Sequence, residues 1–300
     1  MKFYTWQEYR CAYETIPGDD SPALLLIHPI GVGLSRHFWQ PFIRQWTASN
    51  AGQKIYNLDL LGCGDSAMPR RAYYPRDWAE QIARFITAVA QAPVIIVVQG
   101  ALLPVAIELM SLSAAEKVAG LILSGPPAWP LMTTPTDKWK VNLAWSLFDS
   151  PLGNVFYRYA RREQFLKSFS ERQLFASADD VTDEWLAMLH QGSRDMNSRY
   201  AVFSFLAGFW RQDYESAICA IQQPTLVVMG KNASTIDRNV AKQVDGDGTN
   251  ANKRVQDYLT HFSNAKGASI TGRNVMPYES VEEFTKAVQL FIDQITVTSR

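Results

Sequence analysis

The chain contains 300 residues, 47% of them hydrophobic, so it can bury one large core or a core that carries an inserted domain. Its 29 basic and 29 acidic residues cancel, and this overall balance gives no reason to expect nucleic acid or an anionic membrane as a partner. Three scattered cysteines, Cys11, Cys63 and Cys219, argue against both a disulfide framework and a zinc site.

The first part of the chain alternates predicted strands and helices. Residues 3–16 alternate polar and aromatic side chains as a half-exposed hairpin does, and residues 17–20 form a turn cluster. The runs predicted as buried strands are residues 23–27, 54–58, 94–98 and 118–123. Helical patterns lie between them at residues 39–46, 78–90 and 104–110. Strands that alternate with helices predict βαβ units and a parallel sheet.

The pattern changes after Pro126 and Pro127. Residues 129–211 show helical patterns, no convincing strand and a high density of aromatic residues. Strand patterns return at residues 224–229 and 268–271, a flexible loop is predicted at residues 245–252, and a final helix at residues 281–292. Helices inserted between two halves of one sheet form a cap. We therefore predict a core of residues 1–128 and 212–300 and an all-helical cap of residues 129–211.

Four loop segments, together with a strand-to-helix turn at residues 94–109, stand in a characteristic order. The segments are L-L-L-I-H-P-I-G-V-G-L-S (residues 24–35), N-L-D-L-L-G-C-G-D-S (57–66), P-T-L-V-V-M-G-K-N-A (224–233) and G-R-N-V-M-P-Y-E-S-V-E-E-F (272–284). Together they resemble the capped α/β-hydrolase family over nearly the whole chain. In that family they correspond to the oxyanion loop, the D-x-x-G-x-G-x-S turn, the strand that delivers the acid and the loop that delivers the histidine. The resemblance implies an α/β-hydrolase fold, with a mostly parallel central sheet flanked by helices and an inserted helical cap.

The family's nucleophile stands on a sharp turn with the pattern G-x-S-x-G. In the segment V-I-I-V-V-Q-G-A-L-L-P-V-A-I-E-L (residues 94–109), anchoring on the helix places Gly100 at the nucleophile position. Anchoring on Gly100 as the first glycine of the motif places Leu102 there instead. Neither side chain can act as a nucleophile. Glycine adopts the positive φ of such a turn at little cost, so Gly100 would preserve the backbone while removing the reactive oxygen.

The resemblance also gives positions for the acid and the base, and neither holds the expected residue. The G-x-x-D pattern that begins at Gly230 places Ala233 at the acid position. Counting back from Glu279 and Phe284 places Asn274 at the base position. The alternative acid site, residues 124–126, carries no carboxylate. A nucleophile, a base and an acid act as a unit in this family, so their joint replacement predicts loss of hydrolysis.

Relocated catalytic residues are an alternative. Asp237 lies close enough after Ala233 to take the place of the acid, whereas His261 precedes the last strand and Cys63 lies in the turn after another strand. His28 lies in the oxyanion loop, where its counterpart in the family is usually structural. Asp59 is expected to fix its turn through hydrogen bonds to backbone amides.

A remnant of the oxyanion hole and of the substrate pocket is also expected. By analogy with the family, the backbone N–H groups of Ile30 and Ala101 form the hole, although Pro29 replaces the usual glycine of the loop. If they serve no ligand, these groups cap the helix and bind water. The residues predicted for the pocket are His28, Ile30, Gly31, Gly100, Ala101, Asn274 and Phe205.

The leading hypothesis is a catalytically inactive α/β-hydrolase homologue, a pseudoenzyme that binds an apolar small molecule or a protein partner. The alternatives are an enzyme with lyase or isomerase chemistry that uses the oxyanion hole, and a hydrolase with relocated residues. The basic residues Arg158, Arg161 and Arg162 are expected to form a solvated helix face, with an acidic partner as the alternative. We expect no metal, no cofactor, no nucleic acid, no signal peptide and no membrane span, and a cytoplasmic location.

Overall fold

The computed structural model describes residues 1–49, 52–237, 240–241 and 251–298. Within these residues, eight strands form one sheet in the order β1-β2-β4-β3-β5-β6-β7-β8. Their bounds are β1 Lys2–Trp6, β2 Tyr9–Ile16, β3 Asp19–Ile27, β4 Gln53–Leu58, β5 Val94–Gln99, β6 Val118–Ser124, β7 Thr225–Gly230 and β8 Ala265–Ile270. β1 and β2 form an antiparallel hairpin, and β2 pairs antiparallel with β4. All other neighbours are parallel, which confirms the predicted mostly parallel sheet.

Helices flank the sheet on both faces. Their bounds are α1 Gln40–Ala48, α2 Pro75–Phe85, α3 Leu103–Met110, α4 Trp129–Thr133, α5 Lys138–Phe148, α6 Pro151–Ala160, α7 Glu163–Phe169, α8 Asp183–Gly192, α9 Arg199–Ala207, α10 Glu215–Cys219, α11 Ala251–His261, α12 Met276–Glu279 and α13 Val281–Thr298. No helix in the described part of the chain is both long and apolar enough to cross a membrane.

The apolar strands are buried on both faces because successive side chains of a strand point to opposite sides. In β3, Leu25 and Ile27 belong to the core cluster that includes residues of α2 and α3. Leu24 and Leu26 belong to the opposite cluster, which includes residues of α1 and α13. Continuous apolar runs in the sequence therefore arise from two cores that share one sheet.

Several predicted boundaries need correction. The predicted turn at residues 17–20 overlaps β3, which begins at Asp19 and contains an irregular register between Asp19 and Leu24. The predicted helix 78–90 ends as an α-helix at Phe85 and continues as one wider turn over Ile86–Ala90. The predicted last strand, residues 268–271, is β8 and begins at Ala265. The loop predicted at residues 245–252 lies outside the described residues except for its last two positions, which begin α11.

The segment between β6 and β7 is helical. Residues 125–224 are all described, and they form α4 to α10 and connecting turns without any strand. We call residues 129–211 the helical insertion. Its contact with the core is close at one point, because a Cβ on Gly33, in the loop after β3, would lie 1.9 Å from the carbonyl oxygen of Leu189 in α8. Only glycine allows these two backbones to approach so closely.

A buried ion pair joins the loop after β3 to the turn after β4. The side chains of Arg36 and Asp59 are 4% and 0% exposed and pair directly. Asp59 also accepts hydrogen bonds from the backbone N–H of Arg36 at 2.8 Å and of Asp65 at 2.8 Å. The prediction that Asp59 fixes its turn through backbone amides is confirmed. The same carboxylate holds the neighbouring loop through Arg36, a connection that the sequence pattern did not reveal.

Replacement of Asp59 is expected to be strongly destabilising. Asp59→Ala leaves the buried guanidinium of Arg36 without its most buried partner and should lower the free energy of unfolding by about 3 kcal/mol or more. The matched control is Glu184→Ala, which removes an exposed ion pair with Arg44. The side chain of Glu184 is 63% exposed and that of Arg44 is 58% exposed. That change should cost less than about 1 kcal/mol. Urea unfolding measures the free energy of unfolding of both variants. Equal losses would show that the buried pair contributes no more to stability than the exposed pair.

Candidate functional site

The sharp turn between β5 and α3 centres on Gly100. β5 ends at Gln99, Gly100 has φ +62°, and a single helical turn over Gly100–Leu102 leads into α3. Leu102 is fully buried in the core and has φ −91°, so the alternative alignment that placed Leu102 at the turn is wrong. A positive φ is strained for residues with a Cβ, and glycine adopts it freely.

The space above Gly100 is open. A Cβ built on Gly100 would meet no other heavy atom within 4 Å. The absence of a side chain at this position is therefore not required by crowding, and only the backbone conformation favours glycine. A serine side chain would fit at this turn, and so would part of a bound molecule.

The loop after β8 is tied to the base of the turn. The buried side chain of Gln99 donates a hydrogen bond from its amide nitrogen to the carbonyl oxygen of Asn274, at 2.7 Å. Gly125, which follows β6, has φ +56°, and a Cβ there would lie 3.5 Å from both of these atoms. The segments that follow β6 and β8 thus meet the end of β5 at Gln99, the residue before Gly100, as expected at the carboxyl edge of a parallel sheet.

The side chain of Asn274 is engaged by the protein itself. Its amide nitrogen donates to the carbonyl oxygens of Gln173, at 2.7 Å, and of Ser234, at 3.1 Å. Its amide oxygen accepts a hydrogen bond from the backbone N–H of Ser234 at 3.3 Å. Both amide hydrogens are therefore used within the protein. Asn274 joins the loops after β7 and β8 to the helical insertion.

The loop after β7 presents Ser234, rather than Ala233, to Asn274. Ala233 is 1% exposed and packs in a small apolar cluster with Met229, Ala251 and Val255. The Ser234 hydroxyl accepts a hydrogen bond from the guanidinium of Arg273 at 2.8 Å. The sequence comparison identified this loop correctly but missed Ser234, because a polar residue beside a motif position carries no distinct signal.

A half-buried carboxylate also ties this loop to the helical insertion. Glu279 accepts hydrogen bonds from the backbone N–H groups of Arg273, at 2.8 Å, and Ala176, at 2.6 Å. Burial raises the pKa of the Glu279 carboxyl above its usual value. The guanidinium of Arg273 also donates to the carbonyl oxygen of Arg172 at 2.7 Å. The carboxylate of Glu279 is therefore engaged by backbone N–H groups and is not used as a catalytic group at Gly100.

His28 is a structural residue of the oxyanion loop. It is fully buried, and its Nε2 accepts a hydrogen bond from the backbone N–H of Leu60 at 3.1 Å. Nδ1 lies 2.7 Å from the carbonyl oxygen of Pro29, so the ring is neutral with the proton on Nδ1. Burial lowers the pKa of His28. Both ring nitrogens are thus used for holding the backbone.

The residues considered as relocated catalytic groups have other partners. Asp237 pairs with Arg211 at 3.1 Å and accepts a hydrogen bond from the N–H of Val240 at 3.2 Å. His261 stacks on Trp129, with ring centroids 3.9 Å apart, and pairs with Glu215 at 3.3 Å. Cys63 is buried, which raises the pKa of its thiol. In the part of the chain that the structure describes, no group of His, Cys, Asp or Glu residues is arranged to hold a metal ion.

The residues predicted for the rest of the pocket share one environment. Ile30, Ala101 and Phe205 are half-buried and pack against the same core cluster. Phe205 also stacks on Trp210, with ring centroids 5.3 Å apart. The N–H of Ala101 lies in the first turn of its helical segment, where backbone N–H groups have no acceptor within the helix. Gly31 closes its loop by accepting a hydrogen bond from Leu34 at 3.2 Å.

The chain belongs to the alpha/beta hydrolase family, whose model matches residues 24–280. A comparison with curated proteins found no significant match. Among solved structures, an esterase from Thermogutta terrifontis has a TM-score of 0.71 at 15% identity, over 96% of this chain and 94% of that chain. A serine hydrolase involved in carbazole degradation has a TM-score of 0.72 at 17% identity, over 98% of each chain. The enol-lactonase from Burkholderia xenovorans has a TM-score of 0.70 at 14% identity, over 97% of this chain and 100% of that chain. At these identities the likeness shows a shared fold.

Two glycines with similar backbone conformations should respond differently to alanine. Gly100 and Gly33 have φ +62° and +79°, but only at Gly33 would the Cβ meet backbone, 1.9 Å from the oxygen of Leu189. Gly100→Ala should cost about 1–2 kcal/mol from the strained φ alone. Gly33→Ala should cost at least about 3 kcal/mol, because the helical insertion must also shift. Urea unfolding of the two variants tests this, and an equal or larger loss for Gly100→Ala would show that the space above the turn is filled.

Proposed function

We propose that this chain is a catalytically inactive member of the alpha/beta hydrolase family that binds an apolar small molecule at the turn on Gly100. In this proposal Gly100, Ala233 and Asn274 occupy the nucleophile, acid and base positions, and residues 129–211 act as a cap. The observation that carries the proposal is the open space over a positive-φ glycine at the position where the family places its nucleophile.

The chemistry of the three positions supports inactivity. Acyl transfer needs a nucleophilic oxygen, a base beside it and a carboxylate that orients the base. Gly100 has no side chain, and the amide of Asn274 cannot accept a proton at physiological pH. The methyl group of Ala233 packs among apolar side chains. Without all three groups, at most binding and an oxyanion hole remain.

The surroundings of Gly100 support binding of a molecule with an apolar body. Ile30, Ala101 and Phe205 are half-buried apolar residues on one core cluster, and the N–H of Ala101, the residue after Gly100, is a hydrogen-bond donor in the first turn of its helical segment. Apolar walls with a few polar groups are the usual form of a small-molecule site. The ligand class that fits is an elongated apolar molecule that carries one carbonyl or hydroxyl oxygen. A protein partner is the occupant to consider if no small molecule binds.

The wild-type chain should neither hydrolyse esters nor react with fluorophosphonate probes. These reagents require an activated serine hydroxyl, and none stands at the turn. Gly100→Ser should also remain unlabelled, because its hydroxyl would have no base beside it. A panel of aryl and alkyl esters, with a competent serine esterase as the positive control, measures turnover. Ester turnover that remains after rigorous purification, or stoichiometric labelling of wild type, would contradict the proposal.

Restoration of all three catalytic residue types should lower stability rather than create an efficient enzyme. Ala233→Asp would place a carboxylate in an apolar cluster, and Asn274→His would remove the three hydrogen bonds to Gln173 and Ser234. The triple variant with Gly100→Ser should therefore lose about 3 kcal/mol or more of unfolding free energy. A triple variant that is as stable as wild type and turns over esters would contradict this prediction. It would show that the site differs from a catalytic one only at these three residues.

Ligand binding is expected to raise the melting temperature. A molecule present at about 100 times its Kd stabilises by about 2.7 kcal/mol, which corresponds to a shift of several degrees. A thermal-shift screen of fatty acids, isoprenoids and pigments should give such shifts for wild type and for Gly100→Ala. Gly100→Leu shares the backbone strain of Gly100→Ala but fills the space, so it should lose the shift. Equal shifts in all three proteins would place the ligand elsewhere.

A further inference from the structure

The helical insertion presents a large apolar surface to the solvent. Seven large hydrophobic residues of α5 and α6 are 41–66% exposed: Trp139, Leu143, Leu147, Leu152, Val155, Phe156 and Tyr159. We call this set the α5–α6 face. Phe156 and Tyr159 also contact rings of neighbouring helices, with Phe156 6.2 Å from Phe203 and Tyr159 5.3 Å from Phe165 between ring centroids. Exposed apolar surface of this extent marks an interaction site.

The residues of the α5–α6 face follow the helical repeat in both helices, so they are not isolated exposed residues. In α5, Trp139, Leu143 and Leu147 recur at every fourth position, and Val141 is buried on the other side. In α6, residues 152, 155, 156 and 159 follow the helical repeat, and Tyr157 is buried on the other side. Only two residues, 149 and 150, separate the helices. The hairpin therefore packs with one side of each helix and leaves a second apolar side uncovered.

Basic residues are interspersed with the exposed apolar residues along the two helices. α5 contains Lys138 and Lys140, α6 contains Arg158, and neither helix contains an acidic residue. Arg161 and Arg162 follow α6 directly. The chain as a whole has 29 basic and 29 acidic residues, so this charge is local. Of the three basic residues expected to form a solvated helix face, Arg158 and Arg162 are exposed, and Arg162 lies 5.7 Å from the ring centre of Tyr159. Arg161 is half-buried and donates to the carbonyl oxygens of Ser193 and Arg194.

Neighbouring acidic residues cancel this charge only in part. Asp149, between the helices, accepts hydrogen bonds from Arg70 at 3.0 and 3.2 Å. Asp137, before α5, pairs with Lys140 at 2.7 Å. Cationic groups also lie beside exposed aromatic rings, because the Lys140 ammonium is 5.6 Å from the ring centre of Trp139. An aromatic ring with a cation at its side suits the boundary between lipid tails and anionic headgroups.

We propose that the α5–α6 face docks on the surface of a membrane that contains anionic phospholipids. The apolar side chains would enter the boundary between headgroups and acyl chains, and the lysines and arginines would meet the phosphates. A second copy of the chain is the less favourable occupant. A two-fold contact between two α5–α6 faces would bring Lys138 and Arg158 of both copies together and add no acidic residue of α5 or α6 to pair with them. The proposal concerns the outer surface of the insertion and does not depend on catalytic inactivity.

The test is co-sedimentation of the full chain with vesicles of phosphatidylglycerol and phosphatidylcholine in equal amounts. Binding should be at least about tenfold stronger than to vesicles of phosphatidylcholine alone, and should weaken between about 0.1 M and 1 M salt. Leu143→Asp and Val155→Asp, at positions 64% and 66% exposed, should each weaken binding at least about tenfold. The matched control is Leu290→Asp on α13, at a position 52% exposed, which should bind as wild type.

A second pair of variants tests the charge. Lys138→Glu combined with Arg158→Glu should weaken binding at least about tenfold, whereas Lys2→Glu combined with Arg84→Glu should leave it unchanged. Absence of binding to anionic vesicles overturns the proposal, as does binding that Leu143→Asp and Val155→Asp leave intact. Light scattering that shows a dimer disrupted by Val155→Asp, without vesicle binding, would assign the face to a second copy and also overturn it.

Discussion

The chain can reverse from β5 into α3 only through a left-handed backbone conformation, and much of the site follows from this constraint. At Gly100 the φ of +62° costs glycine little, whereas a residue with a Cβ would store strain there. The turn remains as sharp as a catalytic turn needs to be, and the space above it remains open. In the proposed function, glycine at this position avoids the strain and offers no reactive side chain.

Hydrogen bonds of a structural kind hold the loops around this turn. Asn274 binds the backbone of Ser234 and Gln173, and Gln99 binds the backbone of Asn274. Amide-to-backbone bonds of this kind need no particular protonation state, so they fix the loops at any physiological pH. The buried pair of Arg36 and Asp59 holds the loop after β3 to the turn after β4. These bonds hold the loops in place, and the polar side chains of Gln99 and Asn274 are engaged with the backbone of the protein itself.

The sheet was predictable because its strands are buried on both faces, which gives continuous apolar runs such as Leu24 to Ile27. The turn at Gly100 was predictable because it directly follows β5, whose continuous apolar run marks the strand in the sequence. The partners of Asn274 were not predictable, because Gln173 and Ser234 lie 101 and 40 positions away. The exposure of the α5–α6 face was missed because helical periodicity identifies an apolar side without telling which way it faces.

The central claim is that the turn at Gly100 binds and does not react. The most direct test is mass spectrometry under native and denaturing conditions on the chain isolated from its natural host and then incubated with an aryl ester. If the turn binds without reacting, a small molecule should be bound under native conditions and the chain should show its unmodified mass after denaturation. A single stoichiometric acyl adduct that survives denaturation would reveal a nucleophile in the chain and contradict the account.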